Sequence, residues 1–555
     1  AMTLVSLSLA ALGVYLWHAS IQGDGRIAGT PNQSAAYETA AWKHAPQEPT
    51  LVRSLSLQAD MQHGKPVTVH AHYALQRLAD AGDTLLLTWA LRAEAIQTVE
   101  VDGHPVQATS LAPGLFSIPA PRSGRFSIDI AGRLGATPAE PYQLISSLYG
   151  QWPLVPLVGA YPELFPSDEK ARKSLGLPAF DRRAYQVFLP SGVSRPTIPL
   201  TLELTHDCDR TALMPSAAHV VATEDHGACI ARYVSDQPKR LEILFGTGHW
   251  NSREWSEHGL VVRLLFASEF TAQTREFERS LSLAVAGLHQ AFGDLPSHDM
   301  TIVFDHMSLL DGSTALSKPG VMLVSDIAIL HGSRQGELRR ERETGLMAHE
   351  LTHQWFGHAV RPRTGEPGAV FVNEMPAEVA RAAVIRNSFG DAAYRRYLHD
   401  RMIDYHDTLL SMSLPQEVAI NSTRGITIYA RSAMLAHILG GTLGWRHVTT
   451  TLASFAHVHA FAAPVSSQQL LAALLENADP RITKLAHLLV ESDATFRRDP
   501  ETGSVSVLCT QGACDSNPLV PLAEPGSHAT SWEPLGTLNS QTIRASLIAP
   551  LILPE

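Results

Sequence analysis

The chain has 555 residues, with 43 lysine or arginine residues against 54 aspartate or glutamate residues and a net charge of −11. This length is enough for about two to four domains with sizeable cores. Charged residues make up only 17% of the sequence and no long basic run occurs, so we expect no nucleic-acid partner.

The amino-terminal segment is apolar. Met2 to Trp17 contains no charged residue, and the first acidic side chain is Asp24. The run is slightly shorter than a full membrane span of about 20 residues, although its aromatic end is typical of a membrane interface. We expect residues 1–20 to be a membrane anchor or signal-like segment, with a buried helix as the alternative. Residues 21–49 are polar and contain Pro and Gly, which predicts a tether.

Residues 50–267 are predicted to form an all-β domain. Apolar residues recur at every second position, as in the run 198–204, where Ile or Leu alternates with other residues. This is the period of a strand that buries one face. Turn-forming clusters such as Pro190-Ser191-Gly192 separate the runs.

The four cysteines form two local pairs. Cys208 and Cys229 lie in the strand-rich region, and Cys509 and Cys514 bracket a short loop. An even number in local pairs is compatible with disulfides, so we expect an exported protein in a periplasmic or other extracytoplasmic location. Four buried thiols are the alternative. No Cys-x-x-Cys sequence occurs, which argues against a zinc site built from cysteines.

From Thr271 onwards the apolar pattern becomes that of amphipathic helices. We predict helices at 275–292, 337–356, 377–389, 429–439, 468–477 and 482–490, and strands at 300–304 and 321–325. Gly293 is predicted to end the first helix and Gly440-Gly441 the fourth. The pattern divides this part into a mainly helical domain over 268–460, a helical extension over 461–498 and a small β-like appendage over 499–555.

The helix predicted at 337–356 contains His349-Glu350-Leu351-Thr352-His353. Residues four apart lie on one helix face, so the two imidazoles can bind one metal ion. Glu350 lies one position further round, within reach of a water on that ion. Because the chain has 26 histidines, we estimate the chance of a stray match at roughly one in fifteen. The motif predicts a zinc hydrolase, provided that the neighbouring sequence forms a helix and supplies a third ligand.

A zinc site of this kind needs a third protein ligand and keeps its fourth position for water. Glu374 is the candidate, because it follows an apolar run and Pro376 suits the first turn of a helix. Glu378 lies one turn later on the same face, where it can accept the ring N–H of a ligand histidine. The sequence therefore predicts one zinc ion per chain, bound by His349, His353 and Glu374. Weaker candidates are Asp404, Glu366 and His358.

The sequence from His349 to Gly357, followed by Asn373-Glu374, resembles the aminopeptidase N family of gluzincin metallopeptidases. The resemblance covers roughly residues 260–490. It implies a multidomain α+β fold, in which an all-β amino-terminal domain precedes a thermolysin-like, mainly helical zinc-peptidase domain over 268–460. The gap between His353 and Glu374 is two residues longer than is usual in the family, and the loop 361–368 suits the insertion.

The resemblance also implies roles for individual residues. A family tyrosine donates a hydrogen bond to the developing oxyanion, and the matching residue here is Tyr429. Asn373 and Glu378 are expected to support the ligands from outside. Family aminopeptidases bind the free amino terminus of the substrate through a glutamate, which Ser317 or Lys318 replaces here. A cation at that position favours a carboxylate or a blocked terminus. Other acids that are candidates for this role are Asp311, Asp326 and Glu337.

The expected function is zinc-dependent hydrolysis of peptide bonds by a membrane-tethered or exported metallopeptidase, with a peptide or protein as its substrate. Zinc would lower the pKa of its water and Glu350 would act as the general base. The alternative is a non-catalytic, membrane-anchored interaction subunit that retains the zinc-binding peptidase fold. The missing anchor for the amino terminus favours that alternative, whereas the presence of Glu350 and Tyr429 opposes it.

Overall fold

A computed structural model describes the protein at residue 40 and at residues 50–553, without the segments 63–64, 78–81, 90–95, 113, 137–141, 147–156, 159–196, 216–222, 226, 236–238, 241–243, 306–314, 326–335, 364–368, 412–424, 492–494, 499–501, 503, 509–517, 523–530, 539–541 and 544–545. The predicted anchor, nearly all of the predicted tether and the pair Cys509 and Cys514 lie outside the described residues. The chain divides into two compact units, Ala1–Asn251 and Ser252–Glu555.

The described part of the first unit consists of strands. They are β1 (Thr50–Asp60), β2 (Pro66–Arg77), β3 (Thr84–Thr88), β4 (Ile96–Val101), β5 (His104–Pro105), β6 (Thr109–Ala112), β7 (Leu115–Pro119), β8 (Gly124–Ala136), β9 (Tyr142–Ser146), β10 (Leu157–Val158), β11 (Thr197–Ile198), β12 (Leu200–Asp207), β13 (Thr211–Leu213), β14 (Thr223–Asp225), β15 (Ala228–Val234), β16 (Lys239–Arg240) and β17 (Leu244–Gly248).

The largest sheet of this unit has eight strands in the order β14-β15-β12-β1-β2-β8-β4-β5. Its pairs are antiparallel except for β1 and β12, which run parallel. In β12 the side chains of Leu200, Leu202 and Leu204 are buried and alternate with more exposed ones, as the two-residue period predicts. These leucines share one core with residues of β3 and β7.

A disulfide bond joins the first pair of cysteines. Cys208 follows the end of β12, and Cys229 lies in the antiparallel neighbour β15. The two residues are bonded at a Cα–Cα distance of 5.0 Å. The expected local pairing of Cys208 and Cys229 is therefore confirmed.

The second unit begins with a five-stranded sheet in the order β18-β19-β20-β22-β21. Strands β19, β20 and β22 run parallel, and the short β21 lies antiparallel at the edge. The strands are β18 (Asn251–Glu257), β19 (Leu260–Phe266), β20 (Asp299–Asp305), β21 (Ala315–Lys318) and β22 (Val321–Ser325).

Helices make up most of the rest of the second unit. They are α1 (Thr274–Phe292), α2 (Glu337–Thr352), α3 (Ala369–Ser411), α4 (Gly425–Leu439), α5 (Trp445–His459), α6 (Ser467–Leu474) and α7 (Pro480–Glu491), with 3₁₀ turns at Ser268–Phe270, Leu535–Thr537 and Ala549–Leu551. The short strands at the end are β23 (Thr495–Arg498), β24 (Val505–Leu508), β25 (Leu519–Leu522), β26 (Ser531–Pro534) and β27 (Ile552–Leu553). A strand-rich unit followed by a largely helical one confirms the expected fold class.

The expected boundary at residue 267 differs from the observed division after Asn251. Strands β18 and β19 follow the β-rich region directly in the sequence, so the expected all-β domain includes them. They belong instead to the sheet of the second unit, because β19 pairs in parallel with β20 over residues 261–266.

The prediction placed Pro376 in the first turn of its helix. The structure instead places it inside α3, which begins seven residues earlier, at Ala369. Burial of Phe371 and Val372 in the core of the second unit explains the earlier start. The apolar burial of these two side chains offsets the backbone hydrogen bond that a proline removes. Beyond the predicted end at Phe389, a second helical stretch follows a kink at Gly390, where φ is 83°.

Helix α4 ends at Leu439, immediately before Gly440 and Gly441, as predicted. A π-helical turn over Gly440–Gly444 follows it, and Gly444, where φ is 90°, separates that turn from α5. A Cβ atom at Gly440 would lie only 2.4 Å from Cε2 of Trp445. The packing of this indole ring on the backbone explains why glycine occupies position 440.

Helix α3 is long but carries many charged residues. Within the described residues, no helix is both long enough and apolar enough to span a membrane.

Candidate metal centre

Helices α2 and α3 carry the predicted ligands and lie close together. A Cβ atom at Gly345 of α2 would be 2.7 Å from Cδ1 of Ile385 in α3. The interior glycine of α2 therefore permits a short distance between the two helices, despite its unfavourable helix propensity. This packing brings His349, near the end of α2, opposite Glu374, in the second turn of α3.

Three ligand atoms converge between these helices. The Nε2 atoms of His349 and His353 are 3.3 Å apart, and Oε2 of Glu374 lies 3.2 Å from the first and 3.6 Å from the second. In a tetrahedral zinc site with metal–ligand distances of about 2.0–2.2 Å, the ligand atoms lie about 3.3–3.6 Å apart. The observed spacing is that of three corners of such a site.

The surroundings of Glu374 support the same conclusion. Its Oε2 atom is buried and has no hydrogen-bond partner among the described residues. A buried carboxylate oxygen without a partner is costly unless a cation satisfies it. Among the described residues, His349, His353 and Glu374 form the one group of three that can hold a metal ion. The donor set of two imidazoles and a carboxylate fits zinc.

Each ligand histidine has an acceptor at its other ring nitrogen. Nδ1 of His349 lies 3.0 Å from Oε1 of Glu378, and Nδ1 of His353 lies 3.2 Å from the backbone oxygen of Phe356. These acceptors favour the tautomer with hydrogen on Nδ1, which leaves both Nε2 lone pairs directed towards Glu374. The structure thus places Glu378 beside a ligand histidine, where the sequence pattern had placed it.

The centre favours positive charge. Burial acts to lower the pKa of His349, but the carboxylates of Glu374 and Glu378 outweigh it and raise that pKa to about 9. Burial likewise acts to raise the pKa of Glu374, and the imidazoles of His353 and His349 hold it below its usual range. An environment that stabilises a protonated imidazole also stabilises a bound cation.

Glu378 is fully buried and is surrounded by positive or donating groups. Nη2 of Arg401 donates to Oε1 at 2.9 Å, the hydroxyl of Tyr397 donates to Oε2, and Nη1 of Arg381 lies 4.0 Å away. Burial acts to raise the pKa of Glu378, but Arg401, His349 and Arg381 lower it well below the usual value. The carboxylate facing His349 is therefore negatively charged.

Gln354 connects the metal helix to the edge strand β21. Its Nε2 donates to Oγ of Ser317 at 2.8 Å and to the backbone oxygen of Lys318 at 3.0 Å. Its Oε1 accepts from the backbone N–H of Gly320 at 3.0 Å. Ser317 and Lys318 are both buried. The hydrogen bonds hold β21 next to Gln354, the residue that follows His353.

Asn373 approaches the turn that follows α2. Its Oδ1 lies 3.0 Å from the position of a Cβ atom at Gly357, where φ is 111°. Gly357 is thus required both by its backbone conformation and by the close approach of Asn373. This contact places Asn373 beside the turn whose carbonyl at Phe356 orients His353.

Tyr429 and Glu350 lie beside the centre. The ring centroid of Tyr429 is 5.6 Å from that of His349. The charge of Glu374 is the main reason why the pKa of Tyr429 lies well above its usual value, with burial and Glu350 adding to it. Its hydroxyl is therefore protonated and can donate a hydrogen bond. Glu350 is buried on α2 next to His349.

The weaker candidates are not part of the group of three ligands. His358 and Asp404 lie outside it, and Glu366 is not among the described residues. Of the acids that might bind an amino terminus, Asp311 and Asp326 are likewise not described. Glu337 begins α2, about 18 Å along the helix axis from His349, and is too distant.

Sequence reasoning missed Gln354, Tyr397 and Arg401. Gln354 stood inside the matched motif, yet no spacing rule connects it to β21. Tyr397 and Arg401 are four residues apart on α3, so the sequence predicts that they share a helix face. It does not predict that this face meets Glu378, because the kink at Gly390 sets the direction of the second helical stretch.

Comparisons with known proteins relate this part of the chain to a peptidase family and the chain as a whole to a solved fold. Residues 292–489 match the model of the peptidase family M1 domain. The chain is also similar in fold to the crystal structure of a mutant M1 zinc metallopeptidase from Deinococcus radiodurans, with 18% identity, a TM-score of 0.54 and coverage of 80% of this chain and 95% of that one. No curated protein matches the sequence. The resemblance inferred from the motif is thereby confirmed.

Proposed function

Because residues 292–489 form a peptidase family M1 domain, divergent and similar to the aminopeptidase N gluzincins, we propose that this protein hydrolyses peptide bonds with one zinc ion per chain. The observation that carries the proposal is the convergence of two imidazole nitrogens and one carboxylate oxygen at 3.2–3.6 Å. This spacing suits a tetrahedral metal with one further open position.

The chain supplies the other groups that the reaction needs. His349, His353 and Glu374 would hold the zinc ion, which would lower the pKa of a water molecule and polarise the scissile carbonyl. Glu350, adjacent to a ligand on the same helix, takes the proton of the attacking water and passes it to the leaving amine. Tyr429 donates a hydrogen bond to the carbonyl oxygen as negative charge develops on it.

The preferred substrate in this proposal lacks a free amino terminus at the cleavage site. Ser317 and Lys318 occupy the edge strand next to the metal helix, and neither is an acid. Without a carboxylate there, an ammonium group gains no ion pair from this strand, and Lys318 repels it. We therefore expect cleavage of blocked or internal peptide bonds in preference to the removal of free amino-terminal residues.

We further propose that the protein is exported and tethered to a membrane by residues 1–20. The disulfide between Cys208 and Cys229 supports export, since such bonds persist in oxidising compartments. Fractionation of cells that express the full chain, followed by alkaline extraction of membranes, tests the tether. Recovery in a soluble cytoplasmic fraction would contradict both parts of this proposal.

Metal analysis combined with a peptide library tests the enzymatic proposal. We expect one zinc ion per chain and cleavage that a chelator abolishes and added zinc restores. If the protein binds zinc fully and cuts neither free nor blocked peptides, the non-catalytic interaction subunit becomes the better interpretation.

Acetylated and free-amine forms of one peptide test the substrate preference separately. We expect the acetylated form to be cut at least as fast as the free form. The Lys318→Glu variant should shift the ratio of kcat/KM values towards the free amine, because it adds the missing negative charge. A strong preference of the unaltered protein for the free amine would show that another residue binds the amino terminus.

A further inference from the structure

We propose that Arg401 is a positioning residue of the active site, which holds Glu378 and Tyr429 at the same time and thereby couples the orientation of a metal ligand to that of the oxyanion donor. The inference rests on the proposed peptidase function, and it assigns a role to a residue outside the metal-binding motif. No step of the reaction needs Arg401 to touch the substrate.

Arg401 lies in the second stretch of α3, and its guanidinium group has three neighbours. Its Nη2 donates to Oε1 of Glu378 at 2.9 Å. Its Cζ atom lies 5.6 Å from the ring centroid of Tyr429 and 5.9 Å from that of Tyr397. Both ring distances are within the range of cation–π contacts. One planar cation thus contacts two aromatic rings and a buried carboxylate.

The first half of the coupling runs through Glu378 to the metal centre. The oxygen that accepts from Arg401 is also the one that lies 3.0 Å from Nδ1 of His349. Side chains that hold the outer partner of a ligand histidine fix the ring orientation and its basicity. Since Glu378 is fully buried, loss of Arg401 would leave its charge with Arg381, at 4.0 Å, as the remaining arginine beside the donors His349 and Tyr397.

The second half of the coupling runs through Tyr429. Its ring lies near two groups of the centre, at 5.6 Å from the ring of His349 and at 5.6 Å from the guanidinium of Arg401. The phenol oxygen lies in the ring plane, so the contacts that fix the ring also fix the position of the donor oxygen. The nearby positive charge also strengthens the hydroxyl as a hydrogen-bond donor.

Two substitutions of Arg401 separate its contact with Glu378 from its contact with Tyr429. A lysine at position 401 can keep the ion pair with Glu378, but its compact ammonium lacks the planar group that stacks on aromatic rings. A methionine keeps much of the volume and removes both the charge and the hydrogen bonds. The two variants therefore separate the effect on Glu378 from the effect on Tyr429.

The test compares Arg401→Lys and Arg401→Met with the unaltered full chain, alone and combined with Tyr429→Phe. Three quantities are measured: kcat and KM on the best peptide from the library, zinc affinity by chelator competition, and affinity for a phosphinic pseudopeptide that mimics the tetrahedral intermediate. Arg396→Lys is the matched control, since Arg396 lies on the same helix and pairs with Glu341 of α2, away from the ligands.

We expect Arg401→Lys to lower kcat about 10- to 100-fold with little change in KM or zinc affinity, and to weaken the phosphinic probe by a similar factor. In the Tyr429→Phe background the same change should have little further effect. Arg401→Met should in addition weaken zinc binding about 10- to 100-fold. Arg396→Lys should match the unaltered protein in all three measurements.

Additive losses from Arg401→Lys and Tyr429→Phe would overturn the proposal, because the two residues would then act independently. Equal affinity of the unaltered protein and Arg401→Lys for the phosphinic probe would also overturn it. An unaltered protein that binds zinc and the probe but cleaves no peptide would refute the peptidase function instead. In that case, the comparison of probe affinities still decides the role of Arg401.

Discussion

At the scale of single residues, each ligand histidine of the metal centre has polar groups close to both of its ring nitrogens. His349 has Glu374 near one ring nitrogen and Glu378 near the other, at 3.2 Å and 3.0 Å. His353 has the carbonyl of Phe356 at its second nitrogen. Removing one member therefore affects more than one interaction, since the remaining buried polar atoms lose their partners.

Substitution of His353 by alanine is expected to weaken zinc binding strongly, because one of three protein ligands is lost. Zinc affinity is measured by chelator competition on the full chain. The control is His457→Ala, which alters an exposed histidine of α5. Zinc bound at the unaltered stoichiometry and affinity in His353→Ala would remove this residue from the set of ligands.

The ligands themselves were predictable from sequence, but most of their supporting residues were not. His349 and His353 are four residues apart on a helix, and Glu374 and Glu378 share one face in the same way, so local geometry is sufficient. Arg401 and Gln354 act through contacts between distant segments, which helical periodicity does not encode. The absence of an acid at Ser317 and Lys318 was visible from sequence, whereas their hydrogen bonds to Gln354 were not.

At the scale of secondary-structure elements, the predictions of periodicity held better than those of element ends. Strand β22 and the end of α1 at Gly293 lie where the pattern placed them. Helix α4 likewise ends at Leu439, beside Gly440-Gly441, whereas Pro376 lies inside α3 and not in its first turn. Propensity indicates where a helix can begin or end, and tertiary packing decides whether it does. Around Pro376, buried apolar side chains keep the backbone helical.

The Gly440→Ala substitution tests whether the packing of Trp445 explains the glycine at position 440. The added methyl group would overlap the ring of Trp445, so we expect a loss of about 1–3 kcal/mol in the free energy of unfolding. In a Trp445→Leu background the same substitution should cost little, because the ring is gone. Equal costs in both backgrounds, measured by denaturant unfolding, would contradict the packing explanation.

The contact between α3 and α4 predicts a dependence of stability on pH. Burial lowers the pKa of His437 to about 4, and the hydroxyl of Tyr394 lies 2.8 Å from its Nδ1. Between pH 6.5 and about 4 the unfolded chain binds this proton and the folded chain does not, so stability falls as the pH falls. The full loss at pH 4 is about 3 kcal/mol.

Unfolding of the His437→Gln variant across the same pH range checks this dependence. Glutamine does not titrate, so the variant should lose less stability between neutral pH and pH 4 than the unaltered protein does. Parallel curves for the two proteins would show that His437 does not cause the acid sensitivity.

At the scale of the whole molecule, the disulfide and the candidate metal ligands lie in different compact units. The disulfide belongs to the first unit, and the three ligands belong to the second. The sequence predicted this order of a strand-rich region before a helical one. The boundary differs, because β18 and β19 follow the earlier strands directly in sequence but belong to the sheet of β20, with which β19 pairs.

Replacing Cys208 and Cys229 together by serine should destabilise the first unit. The bond closes a loop with a sequence separation of 21 residues, for which a stabilisation of about 3 kcal/mol is typical. Denaturant unfolding of the full chain, with and without the substitutions, gives the difference. Zinc content should stay unchanged, and a variant that keeps full stability but loses zinc would contradict the separation.

The central claim is that this chain places a general base beside a zinc ion held by His349, His353 and Glu374. Its most direct test is zinc content and peptide turnover of Glu350→Gln, with Glu476→Gln as the surface control. The variant should retain one zinc ion per chain and lose turnover by about 10²- to 10⁴-fold, while the control retains both. Loss of zinc from Glu350→Gln, or turnover at the unaltered rate, would contradict the account.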